Sequence, residues 1–162
     1  MDQPLNFKTA RDTFDKVDRF VTRTMARVGI PALRVGMGVV FIWFGALKFF
    51  PGLSPAEDLV RNSIVFFDPA WFVPVLALWE VLIGAGFITG KFPRITIALL
   101  FAQMGGTLLP LFTLPQAVWV QFPFVLTLEG QYIVKNMVLI AGAMVIGATV
   151  RGGRLQSEPT QQ

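Results

Sequence analysis

Four apolar stretches, approximately residues 31–50, 71–90, 94–114 and 131–150, alternate with shorter polar segments along the chain. Crossing ~30 Å of hydrocarbon takes about 20 helical residues, so each stretch predicts a transmembrane helix. The first, PALRVGMGVVFIWFGALKFF, follows a segment of different pattern, residues 1–30. There Phe7, Phe14, Val17, Val21, Met25 and Val28 recur at helical spacing and fall within an arc of roughly 80° at about 100° per residue. Lys8, Lys16, Arg19, Arg23 and Arg27 lie on the other side, with Asp12→Lys16 and Asp15→Arg19 as supporting i,i+4 pairs. This predicts an amphipathic helix in the headgroup plane, its basic face toward anionic lipid; a helix packed on a partner protein is the alternative. Gly29 and Pro31 are expected to break it, with Pro31 starting the first span.

The connections carry orientation. Six Lys/Arg precede the first span, Lys91 and Arg94 flank the second loop, and Arg151 and Arg154 follow the last span. The first and third loops together offer only Arg61. By the positive-inside rule both termini are cytoplasmic. The third loop, PQAVWVQFPFVLTLEG, is apolar but interrupted by Pro123, so it is expected to lie in the interface. The tail, residues 151–162, is polar and expected to be disordered. A full-length span after about 30 residues differs from a cleavable signal peptide, so the first helix reads as an uncleaved anchor in a bacterial inner membrane.

Composition narrows the chemistry. The chain is 54% hydrophobic and 15% charged, against roughly 45–50% and 25% in soluble domains. Its +4 net charge sits largely beside apolar helices, the pattern of membrane anchoring, and no nucleic-acid partner is expected. Cysteine and histidine are absent. Dithiol and thiolate chemistry are thereby excluded, and haem, zinc and copper lose their usual ligands. No metal or resident cofactor is expected. There is no Walker loop, no GxSxG and no metal-ligand cluster.

Ionisable groups inside the spans are the main clue, because a charge at a helix centre costs about 2.5–3.5 kcal/mol on insertion scales. They are Arg34 and Lys48 in the first span, Glu80 in the second and Lys135 in the fourth; Gln103, Thr107 and Asn136 add uncharged polar groups. At ~1.5 Å per residue, Glu80 and Gln103 come out at similar depth near mid-bilayer. Lys48 and Lys135 come out within roughly 6 Å of the outer surface, and Arg34 within snorkelling reach of the cytoplasm. Glu80 shares its face with Ala77 and Gly84, small residues suited to helix contact. The expectation is an inward-facing network with Glu80 as its deep acid and Lys48, Lys135 and Arg34 as candidate partners; the alternative is a structural Glu80 with Lys48 and Lys135 snorkelling outward. Gly86-x-x-x-Gly90 and Ala143-x-x-x-Gly147 fit close packing, and the Gly105-Gly106 pair with Pro110 is expected to loosen the third helix. Trp71 and Trp119 fit an outer aromatic belt, whereas Trp43 and Trp79 are deep enough to line a cavity.

The runs RVGMGVVFIWFGALKFFPGLSP, ALWEVLIGAGFITGKFPR and LTLEGQYIVKNMVLIAGAMVI resemble the DoxX-like family of small four-helix bacterial membrane proteins and the related reactive-chlorine-resistance group. Arg34, Gly45 and Lys48 carry the likeness in the first span, and Glu80, Gly84 and Gly90 around the second. Glu129, Gly130, Tyr132, Lys135 and Asn136 carry it into the fourth. The resemblance implies an all-α membrane bundle and a link to oxidative stress. The family name derives from a subunit of a thiosulfate:quinone oxidoreductase, but the missing cysteines argue against sulfur exchange here.

These readings predict an integral membrane four-helix bundle with an N-terminal amphipathic interfacial helix. Its leading role is a non-catalytic accessory or scaffold for a membrane or redox partner, or for further copies of itself. The alternative is quinone or lipid binding near Glu80, Gln103, Lys48 and Lys135, where a carboxyl can exchange a proton with a quinone. A transporter or channel is a third reading, which four short helices reach only by oligomerising.

Overall fold

The computed structural model describes residues 7–54, 57–63 and 67–158, with side chains from residue 10 onward. Helix α1 runs Phe7–Leu47, α2 Glu57–Ser63, α3 Pro69–Thr89 and α4 Pro93–Leu108. Short helices α5 (Pro110–Thr113) and α6 (Pro115–Val118) lead into a small hairpin of β1 (Trp119–Gln121) and β2 (Val125–Leu126). Helices α7 (Leu128–Val134) and α8 (Asn136–Ala148) complete the order. Among the described residues, four helical stretches are long and apolar enough to cross a membrane: Ala10–Leu47, Pro69–Thr89, Pro93–Thr113 and Leu128–Ala148. This is an all-α membrane bundle.

Helix α3 packs between α1 and α4, and α8 closes the ring against α4 and α1. All four contribute to one core: Met37 and Phe41, Ile83 and Phe87, Leu100 and Met104, Ala143 and Ile146. The antiparallel crossing of α1 and α3 is the closest. A Cβ on Gly84 would lie 2.6 Å from the Gly38 carbonyl oxygen and 2.8 Å from the Ile42 nitrogen, so only glycine permits the approach. Gly86 faces the Thr96 side chain of α4 in the same way. A second cluster, Leu59, Val118 and Ile133, draws α2, α6 and α7 together as a cap at what is here termed the loop end.

Local signals account for the element boundaries. Asp68 accepts a hydrogen bond from the Ala70 N–H, and Pro69 opens α3. Gly90 closes the same helix at φ 63°, a left-handed value that favours glycine. Thr127 accepts from the Gly130 N–H to start α7 while its hydroxyl donates to the Ala117 carbonyl.

Several boundaries depart from the sequence expectation. Gly29 and Pro31 do not break the chain: α1 is one helix of 41 residues with Pro31 inside it. Proline's fixed φ is helical and forfeits one N–H bond, which helix on both sides tolerates. The amphipathic segment is therefore continuous with the first span. Phe14, Phe20 and Met25 on it are exposed; the side chains of Phe7 and Lys8 lie outside the described residues. The third span is interrupted at Leu109, just before Pro110, and the fourth helix begins three residues earlier than expected, at Leu128. The Pro123 segment holds the hairpin. Residues 151–158 carry no helix or strand, yet Arg23 pairs with Glu158 at 3.1 Å. The expected disordered tail thus folds back onto α1, and its last four residues lie outside the described ones.

Candidate functional site

One charged side chain from each of α1's end and α3, and one amide from α4, converge inside the bundle. Lys48 Nζ lies 2.6 Å from Glu80 Oε2, with both side chains 10% exposed. Gln103 Nε2 donates to Glu80 Oε1 at 2.5 Å. Both carboxylate oxygens are therefore engaged, each from a different helix. The Lys48 amine also donates to the Phe44 carbonyl at 3.4 Å. Thr107, one turn beyond Gln103, donates its hydroxyl to the Gln103 backbone carbonyl at 3.1 Å. The side-chain oxygen of Gln103 is buried and meets no donor.

Lys48 stands deeper than its place in the sequence suggests. Gly45 packs against Glu80 and Ala77, so α1 ends at Glu80's level. Helix α3 continues 11 residues further, from Glu80 back to Pro69, or roughly 16 Å. Lys48 is thus level with Glu80 rather than with the N-terminal end of α3. The cap formed by α2 and the third loop occupies the space above.

Arg34 and Lys135 do not join Glu80, contrary to expectation. Arg34 donates to the Phe87 carbonyl at 3.0 Å and the Ile88 carbonyl at 3.4 Å, capping the C-terminal end of α3. Those last carbonyls carry the negative pole of the helix, which is why a cation settles there. Gly90 lies directly against the guanidinium: a Cβ there would be 2.6 Å from Arg34 Cζ. The Lys135 amine lies 3.6 Å from the Tyr132 ring centroid and 5.0 Å from that of Phe44. Aromatic faces substitute for a carboxylate as its neighbours. Glu129 stands in the first turn of α7 and Asn136 opens α8, half-buried; neither side chain has a hydrogen-bond partner among the described residues.

The tryptophans separate. Trp79 donates its indole N–H to the Leu99 carbonyl of α4 at 3.1 Å. Trp43 lines an open apolar groove of about 440 Å³ with Val39, Ile42, Ala46, Leu47, Phe50 and Ile88; none of Lys48, Glu80 and Gln103 belongs to it. Gly105 and Gly106 face open space, with nothing within 4 Å of a Cβ on either. Phe44 is the contact that residue-type reasoning missed. Its signal is an aromatic one turn from Lys48, on the helix neighbouring Lys135.

Fold and site together define a small multi-pass membrane protein whose helices are tied by buried polar contacts and glycine crossings. A family model, DoxX, matches residues 29–114, more than half of the chain. The chain belongs to the DoxX family. No curated protein and no solved structure matches it.

Proposed function

We propose that this protein is a non-catalytic accessory or scaffold subunit of a membrane complex, in a bacterial inner membrane with both termini cytoplasmic. The observation that carries the reading is the engagement of both Glu80 oxygens, held by Lys48 and Gln103 from two other parts of the bundle. A carboxylate so engaged fixes how helices assemble; a reacting or transporting acid needs access to its partner. The apolar groove beside Trp43 contains none of the three residues. Clusters of positive charge at the ends of the chain support the orientation.

The test is purification of the tagged chain from its native membrane under gentle extraction, followed by native mass spectrometry. A stoichiometric protein partner is expected with the wild type, and a reduced yield of that complex with Glu80→Gln. Normal complex yield with the variant, or no partner at all, overturns the reading.

One atom favours a second reading, a quinone or lipid held in the bundle. The buried Gln103 oxygen has no donor, and leaving such a group unmet costs about 1–3 kcal/mol. The hydroxyl of a reduced quinone or of a lipid would supply that donor. Purified protein with no bound quinone or lipid, and with equal stability before and after adding ubiquinol, rejects it.

A further inference from the structure

We propose that Lys135, Tyr132 and Phe44 form a binding site for the phosphate of an anionic phospholipid, in the leaflet at the loop end of the bundle. Lys135 is the residue between α7 and α8, inside a membrane-spanning stretch, and it is exposed on the outside of the bundle. It follows Leu128, the first residue of α7, by seven positions, so it lies roughly 10 Å below that end. A lysine stem spans most of this distance. Its amine nonetheless stops over Tyr132, one turn toward the loop end, and beside Phe44 of α1.

The two rings orient the cation but leave its charge unneutralised. Among the described residues no carboxylate lies within ion-pair distance of it. Glu129 sits in the first turn of α7, where the positive end of the helix favours it. The Tyr132 hydroxyl, on the ring beneath the amine, also has no hydrogen-bond partner among the described residues. One cation with a neutral hydroxyl donor beside it matches the oxygens of a single phosphate. Its acyl chains then lie along α1 and α8, whose neighbouring Val40, Met137 and Val138 are exposed. A free phosphate ion does not partition to such a depth, so a lipid is the source.

The experiment is native mass spectrometry of the full chain in detergent with equimolar phosphatidylglycerol and phosphatidylcholine of distinct mass. The wild type is expected to retain one phosphatidylglycerol per chain with roughly tenfold preference. Lys135→Gln should bring the preference to parity, and Lys135→Arg should keep most of it. The double variant Arg19→Gln/Arg27→Gln, on the α1 extension, should leave it unchanged. No preference in the wild type overturns the proposal, as does a preference that survives Lys135→Gln or falls equally in the α1 variant. Should Lys135→Gln fail to purify, Tyr132→Leu retains the cation while removing a ring. A severalfold weaker preference is then expected, and an unchanged one overturns the proposal.

Discussion

A Cβ placed on Gly45 would stand 2.9 Å from the Cβ of Glu80 and 3.0 Å from the Ala77 carbonyl oxygen. The contact is closer than side chains tolerate, and it brings Lys48, three residues on and just past the end of α1, within 2.6 Å of the carboxylate. The ion pair therefore depends on a residue with no polar atom in its side chain. Gly45→Leu is expected to separate α1 from α3 and lose the pair, destabilising the bundle by about 3–5 kcal/mol. Gly105→Ala meets nothing within 4 Å and should stabilise its helix by up to about 1 kcal/mol. Unfolding in micelles measures both, and equal effects would refute the account.

Lys48→Met leaves the Glu80 carboxylate buried without its cation. A loss of about 3–5 kcal/mol is expected. Adding Glu80→Gln to that variant removes the stranded charge. The double variant should thus lose less than the sum of the single ones, with coupling of about 1–3 kcal/mol. Strictly additive losses would show that the two groups act independently.

Arg34 and Gly90 form a second linked pair, at the opposite end of α3. Losing the guanidinium removes charge-assisted bonds to two carbonyls, each worth roughly 1.5–3 kcal/mol, so Arg34→Gln should fray the last turn. Gly90→Ala meets two penalties, a φ of 63° and the guanidinium itself. In an Arg34→Ala background the second penalty vanishes, and Gly90→Ala should be milder there. Amide exchange along Gly86–Gly90 reads the outcome.

Glu57 lies outside the spans and accepts from the Gly52 N–H at 2.7 Å and from Arg61 at 3.0 Å. The Gly52 bond first, and Arg61 second, hold its carboxyl below the ordinary value of 4.5. A depressed carboxyl contributes fully above that ordinary value and loses its contribution as pH falls through the lower folded one. The Gly52 and Arg61 contacts to Glu57 should therefore hold from neutrality to about pH 4.5 and be lost below it. Amide exchange at Gly52 follows this, and Glu57→Gln should abolish the dependence.

The four spans are legible because hydrophobic length is set by bilayer thickness, although the first has no boundary at Pro31. The common depth of Glu80 and Gln103 was legible too, since it follows from counting rise along helices of opposite sense. The level of Lys48 is not legible, because nothing in its own helix says that α3 extends another 11 residues beyond Glu80. Arg34 and Lys135 were assigned to Glu80 on charge alone. A helix's terminal carbonyls and an aromatic face also attract cations, and neither appears in a residue count of acids. Pro31 misled in the other direction: one missing N–H does not outweigh helix-forming sequence on both sides.

Helix α1 is a single 41-residue element, about 62 Å long, whereas a bilayer with its headgroups measures ~40–45 Å. If α1 stands upright, one end extends beyond the lipid as a lever whose other end adjoins Lys48. A tilt imposed at Arg23 is felt roughly 37 Å away, at the carboxylate of Glu80. Whatever grips the projecting end, the tail through Glu158 included, has mechanical purchase on the buried ion pair without entering the membrane.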